Sequence, residues 1–105
     1  MRIVQHPGFD AQVSSAVLEF ERIDPRLALR FADAVEEMLD VLSRMPTIGE
    51  QLSVVHPELT GLRGYRIRRF KKYLICYRLH EEEVRLVALV HSARDLVRLF
   101  STEAE

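Results

Sequence analysis

The chain has 105 residues, 48% of them hydrophobic and 30% charged, with a formal net charge of −1, the composition of an ordinary soluble globular protein. That length is one domain, residues 1–105, large enough for a single two-layer core. No apolar run approaches the roughly 20 residues of a membrane span, and the N-terminus MRIVQHPGFD lacks a signal-peptide core, so a cytoplasmic, membrane-free protein is expected.

Residues 2–6, RIVQH, predict a short edge strand stopped by Pro7, which cannot donate to a ladder. Phe9, Val13, Ala16, Val17, Phe20 and Ile23 recur at three and four, the spacing of an amphipathic helix over residues 8–23. Asp24-Pro25 then supplies an N-cap and a first-turn proline for a second helix over about 25–44. Its stripe is Leu27, Phe31, Val35, Met38, Leu42 and Met45. Two helices joined by almost no loop form a hairpin, and one apolar face on each requires a sheet to cover it.

Residues 46–61 show no period and carry Gly49, Pro57 and Gly61, the pattern of an ordered loop. Residues 62–78, LRGYRIRRFKKYLICYR, then hold seven cations and no acid. Tyr65 and Ile67 alternate with the cations, and Tyr73 to Tyr77 is wholly apolar, which predicts strands at about 63–70 and 73–80 with a tight turn at Lys71-Lys72. A third strand is predicted at 84–91 after Glu81-Glu82-Glu83, and short turns make the three an antiparallel meander. Leu96, Leu99 and Phe100 have the spacing of a short C-terminal helix over 93–100. The predicted fold class is α+β: a two-helix hairpin on a small antiparallel β-sheet, in the order β-α-α-β-β-β.

His6, His56, His80, His91 and the single Cys76 share no metal-ligand spacing, and no phosphate loop or nucleophile elbow is present, so neither a metal nor a cofactor is expected. Cys76 reads as a small buried hydrophobe. Glu81-Glu82-Glu83 reads as a solvated turn, not a pair of catalytic carboxylates. The charge is divided: residues 1–61 carry five arginines against ten acids, net −5, and residues 62–105 carry ten lysines and arginines against six acids, net +4. Gathering like charges on one strand is costly unless an anionic partner offsets it. Arg63, Arg66, Arg68, Arg69, Lys71 and Arg78, with Arg94 just past the last strand, therefore form the candidate binding face, weighed against a solvated face whose arginine stems cover apolar surface.

The order of strand, helix hairpin, Pro46-x-x-Gly49, Leu62-Arg63, a basic strand, Tyr73-Leu74-Ile75-Cys76-Tyr77-Arg78, an acidic turn and Val90-His91-Ser92-Ala93-Arg94-Asp95 resembles the ParE/RelE superfamily of type II toxin–antitoxin toxins. The resemblance implies a small α+β toxin, growth-inhibiting and plasmid-stabilising, neutralised by a cognate antitoxin. Its RelE-like branch cuts mRNA in the ribosome, and there Arg63, Arg66, Arg68, Arg78, His91 and Arg94 would be the catalytic candidates, while the tail position that holds a Tyr or His in that branch falls near Phe100. Phenylalanine transfers no proton. The ParE-like branch, held to poison DNA gyrase without cutting nucleic acid, is the better fit, with a non-toxic binding module of the same fold as the third reading.

Overall fold

The computed structural model describes residues 1–54 and 59–91. His56, Pro57, Arg94, Phe100 and the helix expected over 93–100 lie outside the described residues. Strand β1 (Arg2–Gln5) is followed by helices α1 (Pro7–Ile23) and α2 (Pro25–Arg44), strand β2 (Glu50–Gln51), a 3₁₀ turn at Leu52–Val54, and strands β3 (Arg63–Ile67), β4 (Phe70–His80) and β5 (Glu83–Val90). The predicted α+β order is the one observed, with β2 added inside the stretch expected to be loop.

Local chemistry sets the helix ends. His6 caps α1 by accepting at Nδ1 from the Gly8 N–H at 2.9 Å, and Pro7 fills a first-turn position that needs no donor. Asp24 serves both helices: its N–H donates to Phe20 O at 2.9 Å to close α1, and its carboxylate accepts from the Arg26 N–H at 2.9 Å to open α2. One residue thus makes the whole joint of the hairpin. At the far end Met45 donates to Val41 O and turns outward, 52% exposed, so the apolar stripe of α2 ends at Leu42 and not at Met45.

The strand order is β1-β5-β4-β3-β2. Strands β2 to β5 pair antiparallel, but β1 runs parallel to β5, with Arg2 opposite Glu83 and Gln5 opposite Leu86, so the sheet is mixed. Short turns dictate direction only between successive strands; β1 is separated from β5 by two helices and three strands and is free of that constraint.

The turn expected at Lys71-Lys72 lies instead at Arg68-Arg69, where Arg69 takes the left-handed conformation at φ 74 and Ile67 pairs with Phe70. Arg66 pairs with Leu74, so β4 runs through Lys71, Lys72 and Tyr73 between the partners of two adjacent β3 residues. The lysines sit in a bulge of the hairpin, not in its turn. The Arg66 guanidinium holds that bulge by donating to Lys71 O at 2.8 Å.

Both faces of the sheet are buried. On one, Phe9 and Ala16 of α1 and Phe31, Ala34, Val35, Met38 and Leu42 of α2 pack on Ile67, Ile75, Tyr77, Val84, Leu86 and Leu89. On the other, Leu52, Leu59 and Leu62 cover Leu74, Cys76, Ala88 and Val90. Burial on both sides explains why Leu74 to Tyr77 reads as an unbroken apolar run. A bulge in β5 places Leu86 opposite Tyr77 and Ala88 opposite Cys76, which lets Leu86 and Leu89, three apart, both face the helices. Gln12 of α1 accepts from the Leu89 N–H at 2.8 Å and ties the helix to that irregular stretch.

Candidate functional site

Tyr77 organises one end of the sheet. Its ring is fully buried, and its hydroxyl donates to Pro46 O at 2.8 Å while accepting from the Gly49 N–H at 2.9 Å. A Cβ at position 49 would stand 2.5 Å from that hydroxyl, so glycine is required there for the close approach of backbone to ring. Burial pushes the Tyr77 phenol above its usual range, against smaller opposing effects of Gly49 and Arg63. Arg63 reinforces the same loop by donating from Nη1 to Thr47 O at 3.2 Å and Gly49 O at 2.9 Å. Pro46-x-x-Gly49, Arg63 and Tyr77 form a clamp that holds the loop and delivers β2 to the sheet edge.

The expected basic face is dispersed. Arg63, Tyr65 and Ile67 share the helix-side face of β3 by strand alternation, whereas Arg66 lies on the other side. Arg78 follows helix-facing Tyr77 and so lies opposite it, where its Nη1 donates to Thr60 O at 2.8 Å beside Gly61, which takes φ +80. Arg68 and Arg69 stand at the hairpin tip, lining a small cleft of ≈ 110 Å³ with Arg30, Asp33 and Glu37 of α2. Three of the strand arginines, Arg63, Arg66 and Arg78, therefore hold backbone carbonyls of their own fold. Arg94 lies outside the described residues.

His91 stands apart from Arg63 and Arg78, in a groove it shares with Arg69, Lys71 and Lys72. His91, at the end of β5, is exposed and packs edge-on against Tyr73, ring centroids 4.8 Å apart. Burial, and secondarily Glu19, raises the Tyr73 phenol above its usual range. Tyr73 and Tyr77 are four residues apart on β4, about 13 Å at strand rise, which separates His91 from the Arg63 clamp. Burial pushes the Cys76 thiol up to about 12, leaving it a packing residue. Among the described residues no group of three or more His, Cys, Asp and Glu is placed to hold a metal ion.

A groove that the sequence did not announce lies between the end of α1 and the bulge of β4. Phe20 from α1 and Phe70 and Tyr73 from β4 form its floor, Ile23 stands at its mouth, and Arg69, Lys71, Lys72 and His91 stand around ≈ 440 Å³. Phe20, Phe31, Phe70 and Tyr73 make one aromatic cluster, with centroid distances between 4.9 and 5.7 Å. The available signal was Ile23: it continues the apolar stripe of α1 to the last helical residue, yet it is 74% exposed.

A two-helix hairpin laid on a sheet with one parallel edge strand is a fold that known proteins share. The family model described as the ParE toxin of type II toxin-antitoxin system, parDE, matches residues 14–96. This chain belongs to that family of toxins. A solved structure of a chromosomal ParDE TA system from P. aeruginosa is similar in fold, with a TM-score of 0.72 at 15% identity over 88% of this chain and 96% of that one. Comparison with curated proteins returns no match.

Proposed function

We propose that this chain is the toxin of a two-component pair, held inactive in the cytoplasm by a cognate antitoxin, and that when free it acts on DNA gyrase and does not cut mRNA. Membership of the ParE family supports the toxin reading. The observation that carries the choice of target is the separation of the strand arginines Arg63 and Arg78 from His91. Cleavage of RNA through its 2′-hydroxyl needs a base for that proton and an acid for the leaving oxygen, each worth about 10²–10⁴ in rate. Arginine remains charged at physiological pH and supplies neither. Here Arg63, Arg66 and Arg78 are spent on carbonyls on two faces of the sheet, Tyr77 is enclosed, and His91 stands at the opposite end of β4 from Arg63 and Arg78. No helix among the described residues is long and apolar enough to cross a membrane.

The test is expression without any partner, following DNA supercoiling, DNA breaks and cleavage of translated mRNA in the same cells. Gyrase-dependent breaks with intact mRNA are expected. Codon-specific mRNA cuts that disappear in His91→Ala or Arg94→Ala would instead assign the ribosome as target, and normal growth with neither lesion would make the chain a binding module.

A further inference from the structure

We infer that the groove between the end of α1 and the β4 bulge seats an acidic segment of a partner protein that carries a bulky apolar anchor, a reading that rests on the antitoxin proposal above.

The floor requires an apolar occupant. Ile23 is the last residue of α1 and stands 74% exposed beside Phe20, Phe70 and Tyr73, so a large hydrophobe is held in water at the mouth of an aromatic pocket. At ≈ 440 Å³ the groove is of the size that takes a few side chains, within the roughly 300–1,000 Å³ of ligand clefts.

The rim selects acids. Arg69, Lys71 and Lys72 surround the floor against the single carboxylate of Glu19, and all three cations are exposed. Their placement is costly to the hairpin. Arg69 sits at φ 74, where a side-chain-bearing residue is strained, and Lys71 and Lys72 occupy a bulge that withdraws them from the ladder. The Arg66 bond to Lys71 O fixes the bulge, so the two ammonium groups are presented by a braced backbone. Exposed cations around an apolar centre fit a segment with acids flanking its anchor, which gains steering from the rim and burial from the floor.

A nucleic acid fits less well. The rings are engaged with one another, Phe20 with Phe70 at 66° and Tyr73 with His91 at 62°. Glu19 on the rim also opposes a phosphate track.

The experiment uses the full chain and the product of the reading frame beside its own, co-expressed and then measured for affinity at low and high salt. Ile23→Glu places a charge at the exposed mouth of the groove, Lys71→Glu with Lys72→Glu reverses the rim, and Val54→Glu, 81% exposed and outside the groove, is the control. Thermal midpoints confirm that all three variants fold. Ile23→Glu is expected to weaken binding on the order of ten-fold or more, the scale of a central interface residue. The lysine reversal is expected to slow association and flatten its salt dependence, and Val54→Glu to bind as the wild type does. Wild-type binding by either groove variant overturns the inference and leaves the antitoxin reading standing. A wild-type chain that does not bind the neighbouring product overturns both.

Discussion

Tyr77 shows how much one hydroxyl can organise. Its O–H and the Gly49 N–H are both satisfied only because the loop passes over the ring, and the loop passes there only because residue 49 has no Cβ. Tyr77→Phe keeps the ring and its packing but leaves Gly49 N–H and Pro46 C=O without that partner. The expected loss is about 1–3 kcal/mol, read from urea unfolding at unchanged m-value. Arg63 belongs to the same unit. It was legible in the sequence as a candidate for binding phosphate, and in the structure two backbone carbonyls take that cation, a use no composition reveals.

Asp24, Phe31 and the β3–β4 hairpin act at the scale of elements. The Asp24 carboxylate is held below its ordinary value of 3.8 first by the side-chain hydrogen bond from Arg26 and then by the Arg26 backbone N–H, with a smaller attraction from Arg30. A depressed folded-state value contributes stability above 3.8 and loses it as pH falls through the folded value, so this joint weakens only in strong acid. Asp24→Asn keeps a capping side chain and is expected to flatten the pH dependence of the thermal midpoint below 3.8, with little change near neutrality. Phe31 is fully buried between Phe20, Phe70 and Tyr73, at centroid distances of 4.9 to 5.1 Å. Phe31→Ala is expected to cost about 3–5 kcal/mol in chemical denaturation, a large part of the stability of a domain this size. A midpoint close to wild type would contradict that packing.

For the whole molecule, the central consequence is a sheet covered twice. Cys76 is enclosed by Leu52, Leu59 and Leu62 over the outer face, and burial raises its thiol to about 12. Native protein at neutral pH is therefore expected to resist thiol reagents, and labelling should proceed at the rate of global opening. Phe31→Ala, on the far side of the sheet, should accelerate that labelling although it touches nothing near the sulfur. Labelling that is fast in the wild type and indifferent to Phe31→Ala would place the thiol on a locally open segment.

The sequence by itself determined both helices, the residue that joins them and the order of elements along the chain apart from β2. Helix periodicity, the Asp24-Pro25 cap and short turns are local physics, written within one or two turns of chain. Family likeness was legible in the same way, as an order of local motifs. What tertiary structure alone decided was direction, register and neighbourhood. The parallel pairing of β1 with β5 spans nearly the whole chain, and no local turn constrains it. Lys71-Lys72 resembles a turn by polarity, yet the left-handed residue is Arg69, because pairing Ile67 with Phe70 and Arg66 with Leu74 sends the extra residues into the bulge. Strand alternation puts Arg63 and Arg66, three apart, on opposite faces, and the bulge brings Lys71, Lys72 and Tyr73 against Phe20 and Ile23, residues about fifty positions away. A one-residue change of register exchanges the faces of a strand, and periodicity within that strand carries no information about its partner's register.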